Sequence, residues 1–386
     1  MSVRISRELM IGLVSTAAYF FVLQLIATVL ARYSRDLGID IMGTALMWSV
    51  ISIIALVLRP LAGYFADKTS SFMAMALGGV FVMISSLAYM GASGLSDLVI
   101  GRIIQGVGSA FFISQSMVAV AVAADGYAGM ALGIRSMLVA LSGLIAPPIA
   151  GFIADSLGYD PIFIISALIA VIIVLLNGWI TRSSIRTIQR PKEEGGWREA
   201  INPVVIILMG AIASIGATFM ALTGLLQAHY RDLGYEAKVY GYFMMFYGIS
   251  SILSRYIAGR ASLKQDPIKI AIFGYIISTL AMFLLGFFYL APLSYILAII
   301  YGVGTGFIIP VQQLIAVSSV PDTAKNRAMA IYAMGWDVGG FLGPLTYGYL
   351  ASLYGYEFIY PWLALPLLIA LGLLVILKIL KSKRGF

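Results

Sequence analysis

The sequence predicts an all-α membrane protein with twelve transmembrane helices, arranged as two pseudo-symmetric bundles of six. Three observations predict this fold class: an apolar composition, a series of long apolar windows, and an internal repeat. Of the 386 residues, 61% are hydrophobic and 11% are charged, with a mean hydropathy of +0.98. Soluble domains contain about 45–50% apolar and about 25% charged residues, so the surroundings of this chain must be mostly lipid.

A helix needs about 20 mostly apolar residues to cross a bilayer, and twelve windows meet that requirement. They cover residues 9–31, 41–62, 71–92, 98–122, 129–153, 161–180, 202–227, 238–259, 268–288, 291–318, 327–352 and 358–379. The windows are continuous, whereas the strands of a membrane β-barrel alternate between apolar and polar residues, so the windows predict helices. We expect the first window to be a retained helix because no small-residue cleavage site follows it.

The placement of lysine and arginine predicts the orientation in the membrane. If both termini are cytoplasmic, 17 of the 25 basic residues lie on the cytoplasmic side, four lie outside, and four lie within or beside the spans. The sequence therefore predicts a multi-pass protein of the cell membrane with both termini in the cytoplasm. The basic excess is explained by this topology, so no nucleic-acid partner is expected.

The chain repeats itself at an offset of 196 residues. Arg35-Asp36-Leu37-Gly38 recurs as Arg231-Asp232-Leu233-Gly234, and Gly106-Val107-Gly108 recurs as Gly302-Val303-Gly304. Six spans in each half make the two copies parallel in the membrane. We therefore expect a first bundle over residues 1–180, a polar cytoplasmic linker over 181–200, and a second bundle over 201–386.

Several classes of function are excluded by the residues that the chain lacks. It contains no cysteine and a single histidine, His229, so thiolate and multi-histidine metal sites are ruled out. No G-x-x-x-x-G-K-[ST] motif is present, which argues against a pump driven by ATP. We expect no enzyme, no cofactor and no metal.

Motifs in three spans resemble those of the major facilitator superfamily, in particular its bacterial and archaeal exporters of drugs, sugars and metabolites. The loop after the second span reads Gly63-Tyr64-Phe65-Ala66-Asp67-Lys68, similar to the start of the family's signature loop. The fourth span contains Arg102-Ile103-Ile104-Gln105-Gly106-Val107-Gly108, close to R-x-x-Q-G-x-G. The eleventh span reads Gly339-Gly340-Phe341-Leu342-Gly343-Pro344. The resemblance covers the whole chain and implies alternating access by two rocking halves.

Charges within the spans are the first candidates for function, because a charge at the centre of a bilayer costs at least ~2.5–3.5 kcal/mol on insertion scales. Asp337 is the deepest carboxylate, and we expect it to carry the proton if transport is coupled to protons. Arg102 is the only basic residue at depth in a span that lines the cavity in this family. The expected cavity lining combines aromatic, hydroxyl and amide side chains with this arginine: Arg102, Tyr19, Gln24, Phe112, Gln115, Thr223, Gln227, Tyr301, Gln312 and Trp336.

A second set of residues is expected to act in gating and in contacts between the bundles. In the family the signature-loop aspartate faces a helix N-terminus, and prolines and glycines of the fifth and eleventh spans allow bending. This set contains Arg59, Gly63, Asp67, Asp125, Arg135, Pro147, Pro148, Arg255, Gly259, Gly343 and Pro344.

The sequence thus predicts a monomeric secondary transporter that exports a small amphipathic or neutral organic compound in exchange for protons. A cavity of aromatic rings with a few amides suits such a solute, and a strongly anionic solute is disfavoured because paired basic residues are missing at mid-depth. Uptake or facilitated diffusion of a sugar-like solute is an alternative within the fold. A receptor or scaffold that transports nothing is an alternative of another class, and the charges within the spans argue against it.

Overall fold

The computed structural model describes residues 6–124, 127–183, 197–321 and 324–384. Within these residues the secondary structure is helical, without strands. The helices are α1 (Arg7–Asp36), α2 (Ile41–Lys68), α3 (Ser71–Met90), α4 (Leu95–Ala123), α5 (Ala128–Leu157), α6 (Asp160–Ser183), α7 (Trp197–Ala200), α8 (Pro203–Asp232), α9 (Ala237–Ala261), α10 (Pro267–Leu285), α11 (Leu293–Ser318), α12 (Lys325–Tyr354), α13 (Tyr356–Trp362) and α14 (Ala364–Arg384).

The twelve predicted spans correspond to these helices, with α13 and α14 together forming the last span and the four-residue α7 lying outside the series. Ten segments of the described chain are long and apolar enough to cross a membrane. Two long helices lie outside that group, α9 with 25 residues and α12 with 30 residues. The prediction of an all-α membrane protein is therefore confirmed.

Polar residues at the loop ends explain where several helices begin. The carboxylate of Asp40 accepts a hydrogen bond from the backbone N–H of Gly43 at the start of α2, at 2.7 Å. Ser70 and Asp266 cap α3 and α10 in the same way. Such caps satisfy N–H groups that have no partner within the helix, so the first turn can form at the position that the sequence marks.

The chain divides into two compact units. Unit 1 comprises Met1–Gln189 together with Tyr230–Gly241, and unit 2 comprises Arg190–His229 together with Tyr242–Phe386. The expected linker falls largely on residues 184–196, which lie outside the described residues. The segment Tyr230–Gly241, expected in the second bundle, groups with unit 1 although the helices on both sides of it belong to unit 2.

The repeat seen in the sequence is also a repeat of helix packing inside each unit. A Cβ atom on Gly106 would lie 2.8 Å from the Cβ of Ile54 in unit 1, and its equivalent Gly302 contacts the equivalent Ser250 in unit 2. Likewise Gly78 contacts the carbonyl of Gly108, as Gly274 contacts that of Gly304. Small residues let helix backbones approach, so the same glycine positions set the same helix contacts in both halves.

The tightest helix contact of unit 2 joins α12 to α8. Cβ atoms on Gly335, Gly339 and Gly343 would overlap the backbone carbonyls of Met209, Ala213 and Ala217 respectively. From the other side, a Cβ on Gly216 would lie 2.6 Å from the carbonyl oxygen of Trp336. Glycines four residues apart form one stripe along a helix, so α8 and α12 meet backbone to backbone over two turns.

Candidate functional site

A row of aromatic side chains from four helices is the most distinctive group in unit 2. Phe219 of α8 has its ring centroid 5.3 Å from that of Tyr247 on α9 and 5.7 Å from that of Trp336 on α12. The Tyr247 ring lies 5.6 Å from that of Tyr301 on α11. Phe219, Tyr247 and Trp336 are half-buried, whereas Tyr301 is fully buried. We call these four residues the aromatic row.

Asp337 follows Trp336 directly and is 5% exposed. It lies two residues from both Gly335 and Gly339, which contact α8. Two residues correspond to about 200° around an α-helix, so the Asp337 side chain is directed away from α8. The helix contact therefore holds a buried carboxylate beside the aromatic row, on the far side of α12 from α8.

The amide and hydroxyl candidates of unit 2 are buried. The Gln312 amide nitrogen donates to the Tyr275 hydroxyl at 2.9 Å, and its oxygen accepts from the Tyr332 hydroxyl at 3.2 Å. Thr223 donates to the carbonyl of Met220 at 3.2 Å, and Gln227 is 2% exposed. Gln312 thus joins α10, α11 and α12 through a hydrogen-bond network, in addition to its predicted place in a cavity.

The aromatic candidates of unit 1 lie inside the helix packing. Tyr19 and Phe112 stack with centroids 3.8 Å apart and planes at 4°, and neither is exposed to solvent. Gln115 accepts a hydrogen bond from Ser71 at 3.2 Å and is 2% exposed, whereas Gln24 is half-buried near Gly143 of α5. Their contribution to a cavity stays a prediction.

Two arginines are buried in unit 1. Arg135 of α5 donates through Nε and Nη2 to the Ser116 hydroxyl at 3.1 and 2.8 Å, and its guanidinium lies 5.7 Å from the centroid of the Phe20 ring. Arg102 of α4 lies 4.5 Å from the centroid of the Trp48 ring and donates through Nη1 to Gln105 at 2.9 Å. Both are less than 10% exposed, so neither lies on an open surface of its unit.

The predicted gating residues occupy helix ends and proline sites. Arg59 and Arg255 are half-buried in the repeat-related helices α2 and α9, and Asp67 is exposed at the end of α2. Asp125 lies outside the described residues. The remaining members of the set lie inside helices α2, α5, α9 and α12, namely Gly63, Arg135, Pro147, Pro148, Gly259, Gly343 and Pro344.

One charged group in unit 1 was missed as a site by the sequence reasoning. Arg35 pairs with Asp232 and Arg231 pairs with Asp36, at 3.0 and 2.6 Å. We call these four residues the exchange cluster. The Tyr159 hydroxyl donates to Asp36, and burial together with this hydrogen bond raises the pKa of Tyr159, so the phenol stays protonated. The repeated Arg-Asp-Leu-Gly motif could have indicated this cluster, but the sequence analysis used it only as evidence for the internal repeat.

The segment that carries Asp232 is fixed to unit 1 at two further places. Arg32 donates to the carbonyl of Tyr235 at 2.5 Å. The carboxylate of Asp155 accepts from the backbone N–H groups of Ala237 and Lys238 at 2.6 and 2.9 Å, which caps the first turn of α9. These contacts explain why Tyr230–Gly241 groups with unit 1.

The described residues contain no group of three or more His, Cys, Asp or Glu side chains that could hold a metal ion. Unit 2 holds a deep carboxylate next to an aromatic residue of the row, and unit 1, taken by itself, holds two buried arginines. Aromatic rings can bind the apolar group of an organic solute, and a carboxylate can bind or release a proton.

Twelve spans in two repeat-related halves, with ionisable residues inside the spans, define a secondary-transporter architecture. The family model of the Major Facilitator Superfamily matches residues 11–344, with a second match over residues 295–385. The chain belongs to the Major Facilitator Superfamily. It is therefore a multi-pass membrane protein that transports small molecules, and the expectation that it is not an enzyme is confirmed by this membership.

Relatives and solved structures agree with that assignment. The chain is 24% identical over 314 residues to the multidrug resistance protein MdtG of Salmonella arizonae, covering 78% of this chain and 76% of that protein. It is 25% identical over 241 residues to MdtG of Citrobacter koseri, covering 60% and 59% of the two chains. The crystal structures of a mutant of the nucleoside transporter NupG and of a POT family transporter in complex with 5-aminolevulinic acid have TM-scores of 0.74 and 0.79 and identities of 15%. Both alignments cover 98% of this chain, together with 99% of the NupG chain and 96% of the POT family chain, so the chains have the same fold.

Proposed function

We propose that this transporter exports small amphipathic or neutral organic compounds in exchange for protons, by alternating access. The observation that carries the proposal is the buried carboxylate of Asp337, which directly follows Trp336 of the aromatic row. The name of the MdtG relatives, multidrug resistance protein, supports export of such compounds.

The aromatic row supports binding of a planar apolar group. Rings present large apolar faces that stack or meet edge to face, and contacts of this kind contribute about 0.5–1.5 kcal/mol beyond their buried area. The hydroxyl of Tyr247, which accepts from Thr305 at 3.2 Å, adds a polar group at the edge of the row. An amphipathic solute has both features: an apolar ring for the row and a polar group for its edge.

Asp337 supports the coupling to protons. An exporter driven by protons needs one group that binds a proton on one side of the membrane and releases it on the other. Asp337 is buried midway along α12, whereas the other described carboxylates of unit 2 lie at or near helix ends. In this proposal the proton binds at Asp337, next to the solute at Trp336, so the two events can exclude each other.

The test of proton coupling is substrate flux in reconstituted vesicles under an imposed pH gradient, with an amphipathic fluorescent dye as the probe. Asp337→Asn should abolish uphill accumulation while dye binding and downhill exchange remain. Asp97→Asn is the matched control, because it removes a carboxylate that is bound to Ser93 at the start of α4. Accumulation by Asp337→Asn at the wild-type level would contradict the proposal.

The test of solute binding compares two phenylalanines of unit 2. Phe219→Ala removes a ring of the row and should weaken dye binding by about threefold to tenfold, the equivalent of one aromatic contact. Phe283→Ala removes a ring outside the row, which contacts the ring of Phe287. The affinity for the dye should stay unchanged in this variant. Equal affinities of both variants and the wild type would exclude the row as the binding surface.

Gating by the signature-loop aspartate is the part of the proposal that rests on the family resemblance. Asp67 favours one access state if it faces a helix N-terminus, an interaction of about 0.3–1 kcal/mol. Asp67→Asn should then change the populations of access states several-fold without unfolding the protein. Spin-label distance distributions measure this change, and identical distributions would remove Asp67 from the gate.

A further inference from the structure

Arg102 is the centre of a buried cationic cluster in unit 1 that the proposed function does not use. Trp48 of α2, Tyr89 of α3 and Gln105 of α4 surround its guanidinium, and all four side chains are at most 3% exposed. The Tyr89 hydroxyl and Arg102 Nη1 both donate to the Gln105 oxygen, each at 2.9 Å. Because a guanidinium can only donate, the Gln105 oxygen rather than its nitrogen must face Arg102, which fixes the orientation of the amide.

The polar atoms left over in this cluster are all donors. Arg102 Nη2, Gln105 Nε2 and Trp48 Nε1 are buried and have no hydrogen-bond partner among the described residues. Gln105 Nε2 shares a carbon with the oxygen that binds Arg102, and the indole of Trp48 lies 4.5 Å from the guanidinium carbon. Arg102 and the two side chains that contact its guanidinium therefore each keep an N–H group without a partner.

Glycines on α4 build this arrangement. A Cβ on Gly101 would lie 2.8 Å from Cδ1 of Tyr89, so the missing side chain lets that ring lie flat against α4 and reach Gln105. A Cβ on Gly106 would lie 2.8 Å from the Cβ of Ile54, so α2 can approach closely enough for Trp48 to cover Arg102.

The repeat shows that helix packing alone does not require the cluster. At the offset of 196, unit 2 carries Met244, Leu285, Ala298 and Tyr301 where unit 1 carries Trp48, Tyr89, Arg102 and Gln105. The contacts of Gly106 and Gly78 are nevertheless matched by those of Gly302 and Gly274, whereas Gly101 corresponds to Leu297. Unit 2 thus keeps these two close helix contacts with no charged residue at the position of Arg102, so the contacts do not require that charge.

A buried charge is unfavourable unless an opposite charge and hydrogen bonds compensate it. The described part of unit 1 gives Arg102 no carboxylate within ion-pair distance, and its remaining bond, from Nε to the Met47 sulfur at 3.5 Å, is weak. We propose that the cluster is a binding site for a small monovalent anion, either a halide such as chloride or the carboxylate group of an organic solute. N–H donors without acceptors disfavour a cation, and the positive charge of Arg102 favours an anion over a neutral hydrogen-bond acceptor.

The test measures thermal unfolding of the protein in nanodiscs at constant ionic strength, with sodium methanesulfonate, whose anion is neither a halide nor a carboxylate, replaced by sodium chloride or sodium acetate. A ligand that binds only the folded state raises the midpoint of unfolding, here by about 1–3 °C at saturation. Stabilisation by chloride identifies a halide site, and stabilisation by acetate alone identifies a carboxylate site. No difference between the three salts for the wild type would overturn the proposal.

Gln105→Glu is the decisive variant, because it places a carboxylate on Arg102 and supplies the missing counter-charge from the chain itself. Its unfolding midpoint in methanesulfonate should equal or exceed that of the wild type in chloride, and chloride or acetate should add nothing. Gln265→Glu makes the same substitution at an exposed position before α10 and should keep the anion response. A response of Gln105→Glu equal to that of the wild type would contradict the site.

A second measurement uses fluorescence and does not depend on unfolding midpoints. Iodide quenches tryptophan fluorescence, so binding beside Trp48 should add a saturable quenching component that chloride displaces. Trp48→Phe keeps an aromatic face on Arg102 but removes one donor and the reporter, so this component should disappear. If the saturable component persists in Trp48→Phe, the anion binds elsewhere.

Discussion

Arg35 and Asp232 form a bidentate salt bridge, with Nε 3.1 and 3.0 Å from the two carboxylate oxygens and Nη2 3.0 Å from Oδ2. Each comes from a different copy of the repeated Arg-Asp-Leu-Gly motif. The reverse pair, Arg231 with Asp36, is formed at 2.6 Å. The two copies of one sequence motif therefore neutralise each other inside unit 1.

We expect the exchange cluster to show a favourable coupling energy between Arg35 and Asp232. Both side chains are about one fifth exposed, so water screens the pair, and the coupling should be about 0.3–1 kcal/mol. Chemical unfolding of Arg35→Ala, Asp232→Ala and the double variant gives this value as a double-mutant cycle. Strictly additive effects would show that the pair contributes nothing to stability.

Asp155 should stabilise the start of α9 through its two backbone hydrogen bonds. Asp155→Ala leaves the N–H groups of Ala237 and Lys238 without their acceptor, and the loss of a cap costs about 0.5–2 kcal/mol. Asp155→Asn keeps one acceptor oxygen and should lose less. Hydrogen exchange at the start of α9 measures the effect, and unchanged protection in Asp155→Ala would rule the cap out.

Gly339 should tolerate no side chain. A methyl group there overlaps the carbonyl of Ala213, so Gly339→Ala must push α12 away from α8, at a cost of about 1–3 kcal/mol for overpacking. Gly372→Ala is the control, since a Cβ on that α14 glycine meets nothing within 4 Å. The unfolding midpoints of the two variants check this, and equal midpoints would contradict the backbone contact.

The topology prediction can be tested with single cysteines, because the chain has none of its own. Arg190→Cys should react with an impermeant thiol reagent only in opened cells, whereas Lys238→Cys should react in intact cells. Loops on the cytoplasmic side are rich in lysine and arginine, and the unequal distribution of these residues is the basis of this prediction. Labelling of residue 190 from outside would reverse the orientation.

The fold could be predicted from the sequence because its two signals are strong and independent. Apolar windows of about 20 residues read directly as spans, and glycine positions at one offset set equivalent helix contacts, as with Gly106 and Gly302. The grouping of Tyr230–Gly241 with unit 1 could not be predicted, because it depends on Asp155 and Arg32, which lie far from that segment in sequence.

The candidate site was harder to predict for a physical reason. In a chain whose helices are apolar on all sides, the face of a helix that a residue occupies cannot be read from periodicity. The sequence could not show that Tyr19 and Phe112 stack on each other with ring centroids 3.8 Å apart, and their contribution to a cavity stays a prediction. The arginine Arg102 was visible as a buried charge, but nothing in the sequence marked Trp48 and Tyr89 as its surroundings.

The backbone contact between α8 and α12 determines which parts of unit 2 can change shape. Side chains can re-pack when helices slide, but carbonyl groups seated against glycines cannot, so the stretch from Gly335 to Gly343 has to move with α8 as one rigid body. Pro344, the next residue, removes a backbone hydrogen bond and supplies the first position where α12 can bend. Asp337 lies within this rigid stretch, so its exposure to either side of the membrane can change only when α8 and α12 move together or when the helices around them move.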